Sequence, residues 1–160
     1  FAATSNAEAQ VGDRWGGRVS ELSRRLGEMA AAGEWVAPAD ARRVLADHPT
    51  LVGRVLAVVP ADRRLGLLTP DVVRGLALGR NGDRSALAFV GVGIGDERER
   101  ERVEDHVRAV AMDVACSDLE VAKVVWDELG ARRWAEFDLE SGATDEVRGW
   151  VEPLLAAYYA

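Results

Sequence analysis

The chain has 160 residues with 48% apolar content, enough to close one hydrophobic core without a disulfide or a metal. Its net charge of −7 weighs against a nucleic-acid backbone as the main partner, and the lone Cys116 excludes a disulfide within the chain. No stretch of about 18 uncharged apolar residues occurs, and no basic start precedes an apolar run, so neither a membrane span nor an intact signal peptide is expected.

Residues 1–10 are small and polar after Phe1 and read as a frayed start. Residues 11–160 read as a single helical domain. Apolar residues recur at three- and four-residue spacing almost throughout, while strand-like alternation is nearly absent. The expected fold is therefore all-α, an irregular bundle of about seven or eight short helices.

In chain order, Val19, Leu22, Leu26 and Met29 form the stripe of a first helix that Gly33 ends. Pro38 opens the next helix, with Ala41, Val44 and Leu45 inward, and His48-Pro49 stops it. Thr50 is expected to cap a helix carrying Val52, Val55, Leu56 and Val59, closed by Pro60. A short helix follows over Asp62–Leu68. Thr69-Pro70-Asp71 combines a hydroxyl cap, a first-turn proline and an acid near the positive end of the helix dipole, ahead of Val72, Val73, Leu76 and Ala77.

Arg80-Asn81-Gly82-Asp83 has the composition of a turn, and the flanks do not alternate as paired strands would, which argues against a hairpin. Gly91-Val-Gly-Ile-Gly95 is the candidate hinge. Asp96 can cap the following helix, with Glu99 completing a capping box and Val103, Val107, Val110 and Val114 inward. Leu119, Ala122, Trp126 and Leu129 define the next stripe. Gly130 then turns a tight corner into Ala131, Trp134 and Phe137, so Trp126 and Leu129 are expected to be buried against Trp134 or Phe137. A last helix begins near Thr144, with Val147, Trp150, Val151, Leu154 and Tyr158 inward and a bend at Pro153.

Few groups present themselves for chemistry. Gly91-x-Gly93-x-Gly95 lacks the dinucleotide spacing and is followed by Asp96 and Glu97, which would repel a pyrophosphate. From Glu97 to Arg102 opposite charges fall three apart and like charges four apart, so the run Asp96–Arg102 reads as a solvated helix face. His106 shares a face with Asp113 but lacks further ligands, and His48 is read as a cation near a helix C-terminus. No metal, cofactor or catalytic residue is assigned. Cys116 reads as a small buried hydrophobe.

Five tryptophans are many for this length. Trp126 and Trp134 are expected in the core, whereas Trp15 and Trp35 fall near helix boundaries, where aromatics anchor partners or neighbouring helices. The interaction candidates are Trp15, Trp35, Trp150, Tyr158 and Tyr159, for a protein partner or self-association.

Arg43-Val-Leu-Ala-Asp-His-Pro-Thr-Leu-Val-Gly53, continuing to Val59-Pro60-Ala-Asp-Arg63, resembles a short helical linker of actinobacterial proteins tied to WXG-type (type VII) secretion. Asp118–Phe137 is similar to helix pairs centred on Leu-Gly in large actinobacterial secreted toxin-like proteins. Trp15-Gly16-Gly17 fits Trp-x-Gly, although no Tyr-x-x-x-Asp/Glu motif follows. The resemblance covers about a quarter of the chain. It implies a non-catalytic interaction or scaffold module of a larger polypeptide, either cytoplasmic or exported by a signal outside this sequence. The alternatives are a small all-α enzyme, or a small-ligand-binding bundle with a cavity lined by tryptophans.

Overall fold

The structure, a computed structural model, describes residues 19–160, so Trp15 and the 1–10 start lie outside the described residues. Ten α-helices occur among the described residues. In chain order they are α1 (Val19–Ala32), α2 (Pro38–Asp47), α3 (Val52–Ala57), α4 (Ala61–Leu67), α5 (Pro70–Leu78), α6 (Glu97–Ala115), α7 (Leu119–Leu129), α8 (Ala131–Ala135), α9 (Leu139–Gly142) and α10 (Asp145–Tyr158). The fold is all-α. No helix is long and apolar enough to cross a membrane.

Helices α5, α6 and α7 pack on one another at the centre. Helices α1 to α3 gather on the N-terminal side, α4 lies against α6, and α8 and α10 cover α7. One buried cluster runs through these layers, from Leu22 on α1 to Val151 on α10. Each fully buried Leu or Val in it contributes on the order of 1.5–3 kcal/mol of transfer free energy.

The Thr69 cap expected from the sequence is made, and Asp118 and Thr144, not assigned as caps there, do the same for α7 and α10. Thr69 Oγ1 accepts from the amide of Val72 at 3.4 Å, and Thr144 Oγ1 from that of Val147 at 3.4 Å. Asp118 Oδ1 takes the amides of Glu120 and Val121 at 3.1 and 3.3 Å. Each satisfies donors that a helix start leaves without an internal acceptor. Gly130 separates α7 from α8 at φ 82°, ψ 169°. This is extended backbone of the wrong hand for an L side chain, so it serves the predicted corner without being a left-handed helical residue.

Several expectations are corrected. Thr50 lies inside a single 3-10 turn, Pro49–Leu51, that leads directly into α3, and it caps nothing. The Asn81-Gly82 step is a hairpin after all: Arg80 pairs with Ser85 and Asn81 with Arg84, with Gly82 at φ 65°. Positive φ at the first loop residue alone is the type II′ pattern. The hairpin needs no alternation because one buried side chain fixes it. The Ser85 hydroxyl lies 2.8 Å from the carbonyl oxygen of Ala77 and 3.2 Å from that of Leu76, and it also accepts from the Leu87 amide at 3.2 Å.

On α7 the buried face is Val121, Ala122, Val124 and Val125. Trp126 and Leu129 are only half-buried. The helix is held between α5 and α6 on one side and α8 and α10 on the other, and the valine-rich face takes the inner position. Trp126 therefore meets the edge of Trp150 on α10, with ring centroids 6.1 Å apart and planes at 84°, and not Trp134 or Phe137 across the Gly130 corner. Trp134 is fully buried, as expected.

The 91–95 segment crosses α3 at very short range. A Cβ built on Gly53 would collide with the Phe89 carbonyl oxygen and lie 3.0 Å from the amide nitrogens of Val92 and Gly93. One on Gly93 would lie 2.7 Å from the Gly53 carbonyl carbon. Two glycines facing each other permit this backbone-to-backbone approach.

Candidate functional site

Helix α10 carries the aromatic interaction candidates. At about 100° per residue, Val147, Val151, Leu154, Leu155 and Tyr158 share one stripe. Val147 and Val151 are buried, Leu154 and Leu155 are half-buried, and Tyr158 is 65% exposed. The expectation that Tyr158 faces the core is thus corrected. Its azimuth is the core-facing one, but cover along that stripe falls off toward the helix end, from buried Val147 and Val151 through half-buried Leu154 and Leu155 to Tyr158, so α10 outruns its support on α7 and α8. Tyr158 instead meets Tyr159 edge to face, with centroids 4.9 Å apart, and Tyr159 is 58% exposed. Trp150, one turn before Leu154, is half-buried against Trp126. Trp35 is 57% exposed on the connection between α1 and α2 and makes no ring contact with these aromatics.

A cleft lies elsewhere, between the hairpin, α6 and α7. It encloses about 170 Å³ and is lined by Arg84, Glu104, Arg108 and Glu128 together with apolar residues that include Leu87 and Val107. No tryptophan lines it. Arg84 places Nη2 3.1 Å and Nε 3.4 Å from the Glu128 carboxylate, which also accepts the Ser85 amide at 3.2 Å. Arg108 lies 3.6 Å from Glu104 and 3.1 Å from Asp105. The four charged groups thus largely satisfy one another, and the wall resembles a structural clasp that pins the hairpin to α7 more than a set of groups converging on a substrate.

A second network joins α4 to α6. Arg64, only 8% exposed, donates from Nε to the Leu56 carbonyl oxygen at 2.7 Å and from Nη1 to Glu99 at 3.1 Å. Arg102 donates to the same carboxylate at 2.7 and 2.9 Å and to the Ala61 carbonyl oxygen at 3.0 Å. Hydrogen bonding from Arg102, then from Arg64, holds the Glu99 carboxyl below the usual range. The expected capping box is therefore half made. Asp96 Oδ1 accepts the Glu99 amide at 2.8 Å, but the Glu99 side chain turns to the arginines and does not reach back. The run read as a solvated face thus contributes one inward clasp. Sequence reasoning missed Arg64, although its position three and four residues before Leu67 and Leu68 put it on the apolar stripe of α4.

The remaining titratable groups have local roles. Asp118 is held low by the Arg74 guanidinium at 2.6 Å, and Asp138 by the Ser141 hydroxyl at 2.6 Å. Burial, with the Asp113 charge nearby, pushes the Cys116 thiol up to about 11, and its Sγ donates to the Met112 carbonyl oxygen at 3.1 Å. That keeps it a thiol at neutral pH, the opposite of an activated nucleophile. His48 is buried at the end of α2. His106 is half-buried, with Nε2 3.3 Å from the Leu68 carbonyl oxygen. Two buried donors, Trp134 Nε1 and Arg148 Nε, have no hydrogen-bond partner among the described residues.

Comparison with protein-family models, with curated proteins and with solved structures finds no match to this chain.

Proposed function

We propose that this domain is a non-catalytic interaction or scaffold module whose contact surface is the C-terminal end of α10. The observation that carries the reading is Tyr158, a large aromatic on the core-facing stripe of its helix that is nonetheless 65% exposed. An apolar stripe that continues past its support, ending in two exposed tyrosines, has the composition of a protein-interface anchor. The titration of the other groups points the same way: the carboxyls held low, at Glu99, Asp118 and Asp138, are held by structural arginines or a serine hydroxyl. The resemblance of Arg43–Arg63 and Asp118–Phe137 to helical parts of secreted actinobacterial proteins supports a carrier or spacer role within a larger toxin-associated or type VII secretion-associated polypeptide.

The test compares association of the wild-type chain with that of a Tyr158→Ala/Tyr159→Ala variant and an Arg98→Ala/Glu101→Ala control, by sedimentation and by pull-down. Circular dichroism confirms retained helicity in each. The module reading expects complexes lost in the tyrosine variant and kept in the control. Identical complexes in all three, or small-molecule turnover that depends on His48, His106 or the Arg84–Glu128 cleft, would overturn it in favour of the enzyme or ligand-binding alternative.

A further inference from the structure

The cleft between the hairpin, α6 and α7 has one closed side and one open side. On the closed side the Glu128 carboxylate takes the Arg84 guanidinium and the Ser85 amide. On the open side Glu104, Val107, Arg108 and Ala111 share one face of α6, spaced three, four and seven residues apart. The Glu104 carboxylate is half-buried and accepts no hydrogen bond among the described residues. The guanidiniums beside it stop short, Arg108 at 3.6 Å and Arg100 at 3.8 Å, both too far for a hydrogen bond. Arg108 spends Nη1 on the exposed Asp105 at 3.1 Å, and its Nη2 makes no hydrogen bond. Arg84 likewise bonds Glu128 through Nε and Nη2 only. The cleft therefore presents one acceptor and two donors whose hydrogen-bonding capacity is unfilled.

We infer that this cleft binds a small zwitterion with a short apolar tail, of the class of a free α-amino acid such as leucine. Its ammonium donates to Glu104, its carboxylate accepts from the free edges of Arg108 and Arg84, and its tail lies on Leu87 and Val107. The two heads of an α-amino acid flank a single carbon, which matches an acid and a base one helical turn apart on one face. Other ligand classes fit less well. A bare metal cation would sit between guanidiniums, and no group of three metal-ligating side chains forms among the described residues. A ligand that is only anionic would face Glu104, Glu128 and the negative end of α7, whose last turn supplies Glu128 and Leu129. Size excludes a nucleotide. The cleft encloses about 170 Å³, near the roughly 150 Å³ that holds one benzene and below the roughly 300 Å³ at which drug-sized sites begin. This inference goes beyond the module reading and is independent of it, since binding here requires no turnover and no residue of α10 lines the cleft.

The probe is L-leucine, titrated into the isotope-labelled chain and followed by the amide shifts in heteronuclear NMR. Saturable shifts are expected around the cleft-lining residues of the hairpin, α6 and the end of α7, with a Kd on the order of 1 mM for a ligand of about nine heavy atoms. Isocaproate lacks the ammonium and isoamylamine lacks the carboxylate, and each should bind at least about fivefold more weakly. Glu104→Gln should weaken leucine binding at least about tenfold, whereas Glu101→Gln, at an exposed acid of the same helix, should leave it within about twofold. Ala88→Leu fills the cleft from its half-buried lining without altering a charge and should abolish binding. Circular dichroism checks that each variant keeps its helicity, and if Ala88→Leu does not fold, Glu104→Gln and the two analogues decide. Absence of saturable shifts at the cleft, leucine binding unchanged in Glu104→Gln, or either analogue binding as tightly as leucine would overturn the inference.

Discussion

Gly53 on α3 and Gly93 on the following connection meet backbone to backbone, so close that a methyl group on either would strike the main chain of the other segment. The contact ties the N-terminal helices to the segment that leads into α6, and neither backbone can retreat without disturbing Val52, Val55 or Ile94, all buried. Gly53→Ala is therefore expected to destabilise by about 2 kcal/mol or more, as overpacking against main chain does. That exceeds any gain in helix propensity, at most about 1 kcal/mol. Gly66→Ala on α4 meets nothing within 4 Å and is the control, expected to be neutral or slightly stabilising. Chemical denaturation of both variants checks the pair. Equal midpoints would show that the 91–95 segment gives way freely.

Trp126 and Trp150 form the seam between α7 and α10. Both rings are half-buried, so each single Trp→Ala change should cost about 1–3 kcal/mol, less than the 3–5 typical of a fully buried aromatic. Because the rings meet edge to face, the double variant should recover about 0.5–1.5 kcal/mol of coupling. Trp134→Ala, at a fully buried site, should cost the larger amount. Additive single losses in a double-mutant cycle would place the rings out of contact.

Local signals in the sequence located most of the elements, because they act within a few residues. Thr69, Asp96, Asp118 and Thr144 start helices through their own side chains, and Gly33 at φ 70° and Gly130 at φ 82° stop them through their own backbone. Which stripe of a helix is covered is a property of its neighbours, and there the reading failed. Periodicity grouped Trp126 with Leu129 and Tyr158 with Val151 correctly as stripes, but could not tell that α5 and α6 would take the valine face of α7 or that α10 would outrun its bed. The hairpin was missed for a related reason. Two-residue strands are too short to alternate, and Ser85 is anchored by carbonyls eight and nine residues back. At the candidate surface, the sequence named Trp150, Tyr158 and Tyr159, and the structure supplies the reason two of them are exposed.

Glu99 links the buried Arg64 to Arg102, and this makes stability depend on acid in a definite direction. Its carboxyl is held below its ordinary range in the folded chain and titrates at about 4.3 when unfolded. The folded state thus binds its proton less readily, so the stabilisation is fully present above that unfolded value and is lost as pH falls through the folded one. Glu99→Gln should cost about 1–3 kcal/mol at pH 7, because it leaves the guanidinium of Arg64 buried without its counter-charge. Arg102→Gln should cost less than Glu99→Gln, since that side chain is 44% exposed and its interaction is screened by solvent. Urea denaturation of wild type and Glu99→Gln from pH 7 down to pH 2.5 should show the two curves converging below about pH 4. A gap that persists unchanged to pH 2.5 would mean that the variant loses packing and not charge, and that the Arg64–Glu99 pair contributes nothing to joining α4 to α6.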